Sequence, residues 1–420
     1  MRVLDGVSRP ARRILVGNVF AAIGSGLTLS FLVIYLGDVR GLGTTTAGFL
    51  VAYMAVLTLV CSTVVGSLVD RFGPRPVLMV GQLWLAATIF ALAFVHTLSQ
   101  AIVVITLLAG ANSCIWPPQA ALYARVSTPE HRQRVFGLQF MLLNLGLGIG
   151  GAVAATFIDV SNPTSFEITY IIDAMTTLVY FGIIVGMRGV GVGPGEVPAT
   201  HANERSGYSA VLRDHALRRL LIGAVIMLTF GYGSLEVGLP VYVTSIGDLP
   251  VSVVAIAYTT NTAVIVVAQL FMLRVIQGRS RARVAAAVGV LWALSWLVVG
   301  VSIGLPAWAA AITVSLGLGL FGIGETMWSP VGPAITNDLA PDHLRGRYNA
   351  VNSWAWGVAG TLGPAFAAIV LGAGLTGVWI ASVVFGSLVS AMVLLSLRRL
   401  LTPAQDGRFD SSTASTSNLN

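Results

Sequence analysis

Long apolar runs separated by short polar turns dominate the chain from residue 14 to residue 397. A helix needs about 20 mostly apolar residues to cross a membrane, because backbone polar groups cannot be left unpaired in oil. Runs at 14–36, 46–69, 77–97, 100–124, 135–158, 166–187, 220–243, 251–276, 284–303, 307–335, 348–372 and 376–397 meet that requirement. They predict an all-α membrane protein with twelve transmembrane helices. Composition agrees: 55% of residues are hydrophobic and 10% charged, with mean hydropathy +0.84, whereas soluble domains carry roughly a quarter charged residues.

The placement of charge supports the count. All 24 basic residues are arginine. With a cytoplasmic N-terminus, every one except Arg40 falls on an inner segment, as the positive-inside rule requires. These segments hold Arg2, Arg9, Arg12 and Arg13, then Arg71 and Arg75, Arg132 and Arg134, Arg279 to Arg283, and Arg345 and Arg347, besides the central linker and the C-terminus. A net charge of +7 would suggest nucleic acid in a soluble protein; in juxtamembrane turns it suits anionic lipid head groups. No nucleic-acid partner is expected. Cys61 and Cys114 lie within apolar runs without metal spacing and read as inert buried thiols. No short apolar segment with a small-residue cleavage site precedes the first run, which is expected to be retained as a helix.

The longest polar interruption, residues 189–219, contains GVGVGPGEVPATHANERSG and divides the runs six and six. It separates an N-terminal bundle, 1–188, from a C-terminal bundle, 220–399. Its second part, SAVLRDHALRRLL, reads as a short surface-lying amphipathic helix. Residues 400–420 read as a disordered cytoplasmic tail. The halves repeat. Arg12, Arg13 and Gly17 recur as Arg218, Arg219 and Gly223, and Gly110, Trp116, Pro118, Pro129 and His131 recur as Gly322, Trp328, Pro330, Pro341 and His343. Two pseudo-symmetric six-helix bundles imply a site between them that opens alternately to each side.

Between the second and third runs stands GSLVDRFGPRP, Gly66 to Pro76. Glycine permits a tight turn, Asp70 can face a helix N-terminus, and the arginines can pair with carboxylates or phosphates. This spacing resembles the loop signature of the major facilitator superfamily. The resemblance implies that fold, and a conformational latch formed by Asp70, Arg71 and Arg75 on a turn that Gly66 and Gly73 make possible. Gly137, Gly146, Gly150 and Gly151 in the fifth run resemble the glycine signature of drug:proton antiporters, with Ala154 and Ala155 in place of its terminal glycines. Small residues on one face let helices approach closely. Many relatives carry an aspartate at the inner end of the fourth helix, where this chain has Ala124 and Arg125 and leaves Glu130 as the nearest substitute.

Three acids fall well inside apolar runs, Asp173, Glu236 and Glu325, while Glu167 is expected at the outer rim of its run. Each costs about 2.5 to 3.5 kcal/mol at a helix centre, which makes a functional role the default reading. In the fold this chain resembles, the first, fourth, seventh and tenth helices line the cavity, so Glu236 and Glu325 are the coupling candidates. Asp173 reads as a structural partner of a neighbouring polar side chain. Asn18, Ser25, Asn112, Trp116, Tyr232 and Trp328 are expected to line the cavity and offer aromatic faces and hydrogen bonds to a lipophilic or cationic guest. No HExxH, metal pair or nucleotide loop is present, so no enzyme, metal or other cofactor is implied. The resemblance implies a proton-coupled antiporter exporting small compounds, its partners being substrate, protons and membrane lipid. A dedicated exporter or symporter of one metabolite is the alternative. A monomer in a bacterial inner membrane, with both termini cytoplasmic, is expected.

Overall fold

The computed structural model describes residues 4–193 and 207–408. Eleven of its helices are long and apolar enough to cross a membrane, and Arg9–Thr28 with Leu32–Val39 forms a twelfth span bent by 43°. In chain order the spans are α1 (Arg9–Thr28 with its continuation), α2 (Thr44–Phe72), α3 (Pro74–Leu92), α4 (Leu98–Arg125), α5 (Pro129–Phe157) and α6 (Pro163–Val185). After the linker come α7 (His215–Ile246), α8 (Val251–Ile276), α9 (Arg281–Val301), α10 (Ala307–Leu339), α11 (Arg345–Gly372) and α12 (Thr376–Ser396).

Local chemistry sets the ends. Proline opens α3, α5 and α6 within the first turn, where its missing N–H is no loss. Thr97 and Gln100 form a capping box on α4, and Asp214 accepts from Ala216 and Leu217 to start α7. The expected surface helix in the linker is instead a single turn, Tyr208–Val211, because the Asp214 cap hands the following residues to α7. Inside α4 the helix interrupts at Cys114 and Ile115, just before Pro117 and Pro118, which cannot donate. Helix α7 changes character after Phe230 and includes two π-helical stretches, Ser234–Gly238 and Tyr242–Ile246. Cys114 is buried and Cys61 only partly so; both are free.

The chain forms two compact units. One comprises Met1–Thr128, Leu138–Ser206 and Ala340–Ser353; the other comprises Pro129–Gly137, Gly207–Leu339 and Trp354–Asn420. The first turns of α5 therefore belong with the second unit, and those of α11 with the first. Within the first unit α1 packs on α6, α2 on α4, and α3 on α4 and α6. Within the second, α7 packs on α12, α8 on α10, and α9 on α10 and α12, the same pairings six helices later. Close glycine crossings repeat as well. A β-carbon at Gly150 of α5 would stand 2.9 Å from the Gly26 Cα of α1, and one at Gly363 of α11 would stand 2.6 Å from the Thr229 carbonyl oxygen of α7.

Residues 400–408, expected to be unstructured, form a turn in which Asp406 is fully buried. Polar groups at the start of α9 supply hydrogen bonds that a composition-based reading does not see. The remainder of the expected tail, and 194–206 of the linker, lie outside the described residues.

The glycine crossing gives a stability prediction. Gly150→Val should destabilise the protein by about 1–3 kcal/mol through overpacking, lowering the thermal unfolding midpoint in detergent. Gly151→Ala should be tolerated, since its nearest atom would be Gly26 O at 3.8 Å.

Candidate functional site

In the second unit, Glu325 of α10 is 5% exposed and lies among α7, α8 and α9 side chains. The Tyr232 hydroxyl of α7 donates to its Oε1, and Asn261 Nδ2 of α8 donates to its Oε2 at 2.6 Å. The same Nδ2 donates to the Leu318 carbonyl at 3.2 Å. Both neighbours are acceptors, which fixes the orientation of the amide. The Tyr232 ring packs edge-on against Trp292, Phe321 and Trp356 at centroid distances of 5.0–5.5 Å. This apolar cluster excludes water from one side of the carboxylate. Among the described residues no basic side chain lies within ion-pair distance of Glu325.

The arrangement has a built-in asymmetry. An ionised carboxylate accepts both hydrogen bonds. A protonated one must donate from one oxygen, and an amide NH2 cannot accept. The Tyr232 oxygen can accept if its own hydrogen turns away, whereas Asn261 would have to flip and give up Leu318. The proton therefore belongs on Oε1, facing Tyr232.

The other acids differ. Glu236 is exposed and lies in the π-helical stretch of α7, without a hydrogen-bond partner among the described residues. Asp173 of α6 sits in the first unit, 2% exposed; its Oδ2 accepts from the Thr28 hydroxyl at 2.7 Å and its Oδ1 is buried without a partner. Thr28 lies where α1 gives way to a 3-10 turn. Asp173 belongs to the first unit and the Glu325 cluster to the second.

The residues expected to line a cavity also divide. Asn18 is 5% exposed and its Oδ1 accepts from Gln119 Nε2 at 3.2 Å, while Gln119 Oε1 accepts from Tyr180 at 2.9 Å. That chain ties α1, α4 and α6 together through the Asn18 oxygen, while the Asn18 Nδ2 is buried without a partner among the described residues. Trp116 is 49% exposed whereas its repeat partner Trp328 is buried against Gly332. Ser25 and Asn112 are half-buried.

At the α2–α3 turn, Asp70 accepts from the Gly346 N–H at 2.6 Å and from Arg347 Nη1 at 3.1 Å. It meets the first turn of α11, where the helix dipole favours negative charge. Gly346 must lack a side chain there, since a β-carbon would stand 2.6 Å from Val69 Cβ and 2.8 Å from Asp70 Oδ1. Gly73 adopts φ +88°, which a glycine tolerates, and nearby Gly66 is buried. Arg75 caps α6 instead of a carboxylate, donating to the Ile184 and Val185 carbonyls at 3.0 and 2.8 Å. Arg71 is exposed and stacks over the Phe72 ring. Of the signature glycines of α5, Gly146 and Gly150 press on α1 and Gly137 on Leu273 of α8.

A second charged cluster escaped the sequence reading. Asp338 at the end of α10 receives both Arg132 of α5 and Arg281 of α9, with side-chain exposures of 5%, 10% and 1%. The arginine-bearing turns and Asp338 itself were visible, but nothing in spacing linked them. Asn261 and Gln119 were equally silent, each being an uncharged amide in an apolar run with no spacing that marks a partner.

Comparison with known proteins follows the same lines. The Major Facilitator Superfamily family model matches residues 14–323. The MFS-type transporter YttB of Bacillus subtilis (strain 168) is 23% identical over 374 residues, 86% of this chain and 88% of that protein. Multidrug resistance protein MdtH of Aeromonas salmonicida (strain A449) is 24% identical over 304 residues, 71% of each. A solved bacterial homologue of the iron transporter ferroportin, in its outward-facing state, shares the fold with a TM-score of 0.74 at 12% identity, covering 93% of this chain and all of the other.

Gln119→Leu tests whether Asn18 is structural. It should leave Asn18 and Tyr180 unpaired in the bundle and destabilise by about 1–3 kcal/mol, read as a lower unfolding midpoint in detergent.

Proposed function

We propose, from the premise that the chain belongs to the Major Facilitator Superfamily, that it is a proton-coupled antiporter exporting small lipophilic or cationic compounds by alternating access. As a member it is a multi-pass membrane transporter and not an enzyme. The observation that carries the finer reading is Glu325, a buried carboxylate held by two neutral donors and no cation. A carboxylate paired with arginine gains nothing from a proton. One held only by a hydroxyl and an amide can gain and lose a proton with small rearrangement of its neighbours, and Tyr232 is the neighbour that turns.

In this mechanism the protonated and substrate-loaded states exclude one another, so each proton moving inward drives one step of export. The membrane potential supplies about 2.3 kcal/mol per charge for each 100 mV. The multidrug resistance protein among the relatives supports a lipophilic or cationic cargo. Within this reading Asp70, bound at the start of α11, acts as the conformational latch. A monomer in a bacterial inner membrane with cytoplasmic termini completes the proposal.

The test is transport in reconstituted vesicles under an imposed pH gradient, with chemically varied substrates. Glu325→Gln should abolish gradient-driven transport while leaving substrate-for-substrate exchange, because an amide cannot carry the proton. Glu236→Gln, at an exposed position without partners, should retain gradient-driven transport. Undiminished driven transport in Glu325→Gln would remove the coupling proposal. A single accepted substrate, or movement in the direction of the proton, would favour a dedicated metabolite carrier.

A further inference from the structure

A densely bonded polar cluster apart from Glu325 lies where the C-terminal segment meets the start of α9. Asp406 is fully buried. Its Oδ1 accepts from the Ser280 hydroxyl at 2.9 Å and from the Ala282 N–H at 3.0 Å, and its backbone carbonyl accepts from the Arg281 N–H at 2.8 Å. Three donors at the opening of one helix are thus satisfied by a single residue over 120 positions away in sequence. Arg408 Nε pairs with Asp406 Oδ2 at 3.1 Å.

The segment also touches the arginine it brackets. Arg281 Nη1 donates to the Gln405 carbonyl at 3.0 Å as well as to Asp338, and Gln405 Nε2 donates to the Asp338 carbonyl at 3.3 Å. Gly407 adopts φ +77°, and a β-carbon there would stand 3.0 Å from Arg281 Cγ. The turn therefore closes over the arginine stem. Held in this way, the guanidinium reaches the first turns of α5 through Nη2 to the Pro129 carbonyl at 3.2 Å and Nε to Gln133 at 3.4 Å.

Those turns matter because of where the chain changes unit. Residues Pro129–Gly137 belong with the second unit, while the same helix continues from Leu138 in the first. One continuous helix thus passes from the second unit to the first between Gly137 and Leu138. We propose that Thr402–Arg408 is a clasp, and that Asp406 is a positioning residue which sets how firmly Arg281 and Asp338 retain the first turns of α5. The substrate does not enter the argument, nor does the coupling role of Glu325.

The clasp is tested by hydrogen–deuterium exchange on the purified full chain, on a truncation ending at Leu401, and on Asp406→Ala and Asp406→Asn. Removing the clasp should accelerate exchange in 130–137 by about tenfold, the scale of one lost buried hydrogen-bonding group. Asp406→Ala should do the same, whereas Asp406→Asn, which keeps an acceptor oxygen, should stay near the parent. Segments of α3 should be unaffected in every case. Acceleration confined to 280–284, with 130–137 unchanged, would reduce Asp406 to a local helix cap and overturn the proposal. Uniform acceleration across the chain would overturn it too, since that reports general loosening. If the truncation and Asp406→Ala do not accumulate, Gly407→Val supplies the same readout by forcing the turn off Arg281.

Discussion

A carboxylate withdrawn from water must find donors or carry a proton, and much of this structure is arranged around how four of them do so. Asp338 receives two arginines, and Asp70 an arginine together with a helix-opening N–H. Both are neutralised by permanent charge and hold ends of helices in place. Glu325 has only a hydroxyl and an amide, and Asp173 a single hydroxyl. The gradation separates acids that fasten the fold from acids whose protonation can change. Mobility of charge follows from the poverty of the surroundings, so the same residue type serves opposite ends within one chain.

Duplication shaped the scaffold more faithfully than the side chains it carries. Helix pairings recur six helices on, and the glycine contacts of α1 with α5 return between α7 and α11. Tight backbone approach tolerates no side chain, so these positions resist divergence. Trp116 and Trp328, aligned by the repeat, have parted: one is half exposed and the other enclosed. Asp70 likewise meets α11 from α2, whereas the carboxylate of the other cluster comes from α10. Each half solved the same electrostatic problem with a residue from a different helix.

Much of the architecture was legible because hydrocarbon imposes a length and a polarity that any span must obey. The twelve runs and the Asp70 turn could be read directly, and the turn signature carried its own geometry. The partners of Glu325 could not. Asn261 is one amide in an apolar stretch, and only the packing of α8 on α10 brings it to the acid. The Gln119 amide that reaches Asn18, itself held by the Tyr180 hydroxyl, went unseen for a parallel reason, since three helices must pack before these groups meet. The segment TPAQDGR, rich in turn formers, has the composition of a loose end. Its order comes from unpaired donors at the start of α9, which local sequence does not announce.

The two short stretches that each unit takes from the opposite end of the sequence bear on how the chain can be built. Synthesis delivers the first half well before Ala340–Ser353 exists, so Asp70 must wait for the Gly346 amide that will receive it. Pro129–Gly137 waits in turn for Asp338 and Arg281. Each unit thus holds a stretch that comes from the far side of the sequence. Order of synthesis and order of packing therefore differ at these two stretches, which find their neighbours only after most of the chain has been made.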